Sequence, residues 1–265
     1  MTPSSSADDE DVSIAVDDGI GVVTLRRPPH NLLTEPTLRR TADAIESLAG
    51  VARAAVVCSQ GRSFCAGADF RAGDAPDPTR GGGFAAQTAA FYAQAARVFE
   101  SPVPLVAAVQ GAAIGAGLGL VLACDLCVAG ERAWFQANFV RLGIHPGFAL
   151  SMTLPAVVGS RRAAELLLTG RRVDAPEAAQ LHIAHQVVAE GEELAAALDL
   201  ARSVAAGAPL AVSSTRATLR AGLAGAARAA MRHELAEQSA LAGTHDAVEG
   251  VTAMLEGRTP TFEGS

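Results

Sequence analysis

The chain has 265 residues, 49% of them hydrophobic and 18% charged, enough for one large domain or two small ones with a substantial core, and unlike a disordered chain. A formal net charge of −7 argues against a general nucleic-acid binder, which needs a basic face. All 21 basic residues are Arg, so Schiff-base, Ser–Lys and P-loop lysine chemistry are excluded.

Taken in chain order, residues 1–11 read as a polar, acidic tail. They lack the basic start and apolar centre of a secretory signal, and no run of eighteen apolar residues follows, so the expected setting is cytoplasmic with no membrane partner. Two apolar runs around "DDGIG" predict a β-hairpin, closed by "RRPPHN". "TEPTLRRTADAIESLA" predicts a helix with Thr34 as N-cap and Leu38, Ala42, Ile45 and Ala49 on one face. "RAAVVCS" reads as a strand and "QGRSFCAGADF" as the glycine-rich loop after it. Residues 72–86 read as a surface loop, and a helix is expected around Gln87–Phe99. "PLVAAVQG" is a buried strand, "AAIGAGLGLVLAC" a glycine-rich turn entering a helix, and "DLCVAG" another strand. From Glu192 onward every segment reads as helix, with apolar stripes that suggest packing on another subunit. No internal sequence repeat is evident.

Four cysteines (Cys58, Cys65, Cys124, Cys127) do not make a disulfide framework in a chain of this length. "CDLC" has C-x-x-C spacing, but on a strand residues three apart face opposite ways, so both thiols are expected in the core. His182 and His185, in "LHIAH", lack a third ligand for a metal site.

Two loops concentrate small residues: "SFCAGADF" (63–70) and "VQGAAIGAGLGL" (109–120). Such residues permit tight strand-to-helix turns. They also leave backbone N–H groups open to close approach by a ligand, and the second loop adds a helix N-terminus. Two neighbouring loops of this kind can aim two donors at one oxygen, which is an oxyanion hole. A dinucleotide fingerprint fits less well, since "GAGLG" lacks the third glycine at its usual place.

Those two loops, together with "LGIHPGFALSMTLPAVVGSRRAAELLLTGRRVDAPEA" and the terminal "DAVEGVTAMLEGRTPTF", resemble the enoyl-CoA hydratase/isomerase (crotonase) family. The resemblance implies an α/β fold, a crotonase-like spiral of repeated ββα units over residues 12–190. It also implies a C-terminal helical region, residues 191–265, that builds a homotrimer or a dimer of trimers. The implied ligand is an acyl-CoA thioester, with no other cofactor. Its carbonyl would accept from the N–H groups of Ala68 and Ala116, with Gly117 as the alternative to Ala116. Cys65, Ala66, Asp69, Phe70, Ile114, Gly115 and Leu142 would surround the acyl group, Asp69 by tying its loop. The stretch "LRRPPHN" would lie near the nucleotide, with Arg26 and Arg27 toward phosphate and His30 and Asn31 toward adenine; equally, both arginines read as solvated strand-end residues.

The same resemblance exposes a difference. Hydratases of the family use two glutamates, and the corresponding positions here are Gly119 and Phe139. An isomerase carboxylate a turn later would fall near Gly147. Ordinary hydration is therefore not expected, and a binding protein without turnover is the alternative. His145 is the nearest remaining acid–base candidate. Gln136, Asn138, Ser151 and Tyr92 could hydrogen-bond a polar acyl group, and Phe139 and Phe70 would make the pocket apolar.

Overall fold

A computed structural model describes residues 11–69, 79 and 83–265. The expected tail lies outside it apart from Asp11, as do Phe70 and most of the 72–86 loop. The hairpin is as anticipated: β1 (Val12–Asp17) pairs antiparallel with β2 (Ile20–Leu25) across Asp18–Gly19. Helix α1 (Glu35–Glu46) begins on the Thr34 hydroxyl, which accepts from the Thr37 N–H, and Pro36 sits in its first turn. Leu38, Ala42 and Ile45 are buried, but Ala49 lies beyond the helix end and is exposed; Leu48 takes the core position instead.

Three successive units then repeat one geometry. The first is β3 (Ala54–Ser59), β4 (Ser63–Cys65) and α2 (Phe84–Phe99). The second is β5 (Leu105–Val109), β6 (Ala112–Ile114) and α3 (Ala116–Ala123). The third is β7 (Leu126–Gly130), β8 (Trp134–Gln136), a 3-10 turn at Phe139–Leu142, and α4 (Leu150–Val158) with α5 (Ser160–Thr169). Within each unit the long strand joins a six-stranded sheet ordered β1-β2-β3-β5-β7-β10, and the three-residue strand joins a second sheet ordered β4-β6-β8-β9. β9 (Arg172–Asp174), α6 (Ala175–Gln180) and β10 (Gln186–Val188) complete the two sheets. Apart from β1–β2 and β8–β9 the pairings are parallel. This is the implied spiral. Its second sheet corrects the reading of 60–70 and 110–116 as loop alone. α2 also starts at Phe84, inside the segment expected as loop.

The long strands are buried on both faces, as parallel strands require. Along β3, Ala55 and Val57 point into the main core, while Ala54, Val56 and Cys58 pack toward Ala197 and Ala201 of α7 (Glu193–Ala205). Three more helices follow: α8 (Pro209–Leu219), α9 (Leu223–Leu241) and α10 (His245–Glu256). α9 packs on α2 and α4, and α10 lies on the 3-10 turn. There Gly250 is required, because a Cβ would meet the Leu142 backbone at 2.5 Å. All four cysteines are buried and free. Cys124 caps α3 and is not on the strand, so its expected orientation is corrected, although its burial is as anticipated. No single helix among the described residues is long and apolar enough to cross a membrane.

Candidate active site

β4 and β6 are parallel neighbours, with Ser63 opposite Ala112 and Cys65 opposite Ala113. Chain continuity therefore brings the two small-residue loops out side by side. They touch: a Cβ on Gly117 would lie 2.1 Å from the Cys65 carbonyl oxygen, and one on Gly67 3.4 Å from that of Ile114. Gly67 (φ 109°) and Gly115 (φ 53°) occupy backbone regions that other residues rarely adopt. Gly115 turns the chain from β6 into α3 and leaves the first N–H groups of that helix without intrahelical partners. Among the described residues, no backbone carbonyl accepts from the N–H of Ala68 or of Ala116, although their neighbours Asp69 and Gly115 donate to Leu33 and Gln136.

Both alanines line one cavity of about 510 Å³. Its wall includes Ala66, Ile114, Gly115, Phe139, Leu142 and Ile144, with Phe84, Thr88, Phe91 and Tyr92 from α2 and Met254 and Leu255 from α10. Phe91 meets Phe148 edge-on at a centroid distance of 6.1 Å. His30 and Arg172 also line the cavity. The His30 ring nitrogen Nε2 is 2.9 Å from an Arg62 guanidinium nitrogen, and Arg172 lies 3.6 Å above the Trp134 ring. The only acid lining the cavity among the described residues is Asp69, and Arg27 stands 3.6 Å from it.

At Gly119 and Gly147 the space beside the backbone is taken, and Phe139 stands in the wall. A Cβ on Gly119 would sit 2.4 Å from the Phe148 ring, so Phe148 fills the volume of any side chain there. Phe139 itself lines the cavity, its ring 3.6 Å from where a Gly115 Cβ would lie. A Cβ on Gly147 would be 2.0 Å from the Tyr92 hydroxyl oxygen. That hydroxyl donates to Gln238 Oε1 at 2.8 Å, and the Gln238 amide donates to the His145 carbonyl. Burial pushes the Tyr92 phenol far above its ordinary range, so it remains protonated. Beside it the buried Glu234 accepts from the Ala149 and Ser151 N–H groups and the Ser151 hydroxyl. Desolvation raises its carboxyl, against the pull of those three hydrogen bonds.

Several residues picked from the sequence lie elsewhere. Asn31 is wholly buried, with its amide donating to the Gln60 and Ser63 carbonyls and its Oδ1 accepting from the Arg27 N–H; it braces the loop and does not line the cavity. The Arg27 side chain is held by Asp11, Asp69 and the Leu32 carbonyl. Arg26 is exposed and makes no ion pair among the described residues. His145 is not in the wall: its ring packs on His233 and its Nδ1 is within 2.8 Å of the Pro146 carbonyl. Ser151 is committed to Glu234. The Cys65 side chain is turned into the core, where burial pushes its thiol up to about 12, so it is inert. Gly117 and Gly119 are likewise outside the wall. His182, at φ 61°, adopts the left-handed conformation that ends α6, and His185 Nδ1 accepts from the Cys127 N–H. No group of three or more ligating side chains among the described residues could hold a metal. Sequence reading passed over Thr88, Trp134, Arg172, Gln238 and the α10 pair. Arg172 and the α10 pair fall inside the stretches that carry the family resemblance, but no local pattern points any of these residues at a ligand, and only the tertiary fold brings them to the cavity.

Comparison with known proteins identifies the family. The family model described as enoyl-CoA hydratase/isomerase matches residues 15–265. A Bacillus subtilis (strain 168) protein named as a probable enoyl-CoA hydratase is 32% identical, covering 96% of this chain and 98% of that protein. The 2,3-dehydroadipyl-CoA hydratase of Escherichia coli (strain K12) is 34% identical, over 92% of this chain and 94% of its own. Among solved structures, carnitinyl-CoA hydratase from Mycobacterium avium superposes with a TM-score of 0.83 at 28% identity, covering 97% of this chain and 99% of that one. The chain belongs to the enoyl-CoA hydratase/isomerase family.

Proposed function

We propose that the protein binds an acyl-CoA thioester, holds the thioester oxygen between the N–H groups of Ala68 and Ala116, and stabilises the enolate that forms there. Ala116 is preferred to Gly117 because it lines the cavity. Fixed donors in a water-poor pocket act on charge as it develops, and loss of one such donor typically costs about 10²–10³ in rate. Arg26 and the His30–Arg62 pair would receive the phosphates and nucleotide, and Arg27 would keep the loop in place.

Hydration by paired carboxylates is not part of this reading. The observation that carries it is the filling of both positions, Gly119 by the Phe148 ring and 139 by phenylalanine in the wall. One positioned acid or base is typically worth about 10²–10⁴, so an ordinary hydratase rate is not expected. Asp69 favours a second reading, retention of acyl-CoA without turnover. It is the one acid in the described wall, so the α proton given up on enolate formation has only Asp69 to go to, and Asp69 is tied to Arg27 at 3.6 Å.

A mass-spectrometric time course in D₂O with saturated, 2-enoyl and 3-enoyl CoA thioesters decides among these. Deuterium uptake without gain of water is the expected result. Rapid gain of water would overturn the proposal, and bound but unchanged thioester would favour the second reading.

A further inference from the structure

The Thr88 side chain forms part of the cavity wall, and the residue is 1% exposed. Its hydroxyl oxygen is one of two buried side-chain polar atoms among the described residues with no hydrogen-bond partner, the other being one nitrogen of the otherwise engaged Arg216 guanidinium. This is unusual for a helical threonine, whose hydroxyl ordinarily bonds the carbonyl one turn earlier; Thr41 and Thr153 do so at 2.9 and 3.0 Å. Buried polar groups in folded proteins are nearly always satisfied, and an orphan costs roughly 1–3 kcal/mol. The Thr88 oxygen is covered in this structure, so it becomes a contact for a ligand in the adjoining cavity through a χ1 rotation that turns it toward that space.

The surroundings narrow the chemistry. Thr88 shares the buried face of α2 with Phe84, Phe91 and Tyr92. The neighbouring Tyr92 hydroxyl and Gln238 amide are already engaged with each other and with the His145 carbonyl. Of the other polar side chains in the wall, Arg172 lies over the Trp134 ring and His30 against Arg62. A carboxylate beside Thr88 would lose its hydration for one neutral partner, which is unfavourable. A hydroxyl suits the site, since Thr88 can both donate and accept.

Resting on the acyl-CoA reading above, we infer that Thr88 selects acyl thioesters that carry a neutral hydroxyl on the acyl chain over their plain hydrocarbon counterparts.

The test is calorimetric titration of the full chain with hexanoyl-CoA, the 4-, 5- and 6-hydroxyhexanoyl-CoA isomers, and adipoyl-CoA as the charged comparison. At least one hydroxy isomer is expected to bind about tenfold more tightly than hexanoyl-CoA. Thr88→Val should abolish that preference and Thr88→Ser should keep it. Thr88→Val should also raise the Tm of the ligand-free protein, because it removes an unpaired buried hydroxyl without changing shape; a structural hydroxyl would lower it. Hexanoyl-CoA binding with no hydroxyl preference, or a preference that survives Thr88→Val, overturns the inference and leaves the acyl-CoA reading intact. Tighter binding of adipoyl-CoA than of every hydroxy isomer overturns it as well. If no thioester binds, both fall.

Discussion

Gly117 has no side chain because the Cys65 carbonyl occupies its place, and that contact sets how closely the two donor loops approach. The donors are backbone groups, so substitution cannot delete them; it can only obstruct them. Ala116→Trp is expected to abolish acyl-CoA binding in calorimetry while the far-UV circular dichroism stays native, because its side chain would enter the cavity that Ala116 lines. Unchanged affinity would place the site elsewhere. At this scale the two loops stood out as clusters of small residues after apolar strands, a pattern that tight strand-to-helix turns and exposed backbone donors share. The individual side chains were less legible. Asn31 and Arg27 have the composition of ligand contacts, and only the Gln60, Ser63, Asp11 and Asp69 partners reveal them as braces. Thr88 reads identically in sequence whether its hydroxyl is paired or not.

Among the elements, α10 closes one side of the cavity with Met254 and Leu255, and the chain after it folds back along the same helix. Glu249 accepts from both terminal nitrogens of the Arg258 guanidinium and from the Thr261 N–H, and Asp246 accepts from the Glu263 and Gly264 N–H groups. Arg258 first, then the Thr261 N–H, holds the Glu249 carboxyl down at about 2. A carboxyl depressed in the native state stabilises fully above its ordinary value of 4.5, and that contribution is lost as pH falls toward about 2. The terminal segment should therefore detach across that window, seen as movement of the Thr261 amide resonance. Glu249→Gln should show the detached shift already at neutral pH; a Thr261 resonance unaffected by either change would contradict the clamp. Long elements were legible from periodicity and capping, as α1 shows with Thr34. The three-residue strands β4, β6 and β8 were not, because three residues carry no period.

For the whole molecule, the C-terminal helices leave apolar surface uncovered. Helix α8 buries no residue, with Leu210 87% and Leu219 81% exposed, yet Arg216 and Arg220 fix it to Asp125 in a half-buried cluster. A rigidly mounted apolar face of this kind is what an assembly surface requires. The protein is expected to be a homotrimer or a dimer of trimers by light scattering. Leu210→Asp combined with Leu219→Asp should lower its mass while helicity is retained; a monomeric parent would refute the assignment. The helical tail and its apolar stripes were visible in sequence. The spiral was not visible as a repeat, because its units share a geometry of strand lengths and links and not a string of residues.

The interlock of Gly119 with Phe148 also bears on what variation can reach. A glutamate entering at 119 meets the ring head-on, and overpacking of this kind costs about 1–3 kcal/mol or more. Shrinking Phe148 first opens a hole that costs about 3–5 kcal/mol. Against a total stability of about 5–15 kcal/mol, both single steps run downhill before a second could recover them. Single exchanges to a carboxylate at this position are expected to lose stability, and paired exchanges at 119 and 148 to lose less.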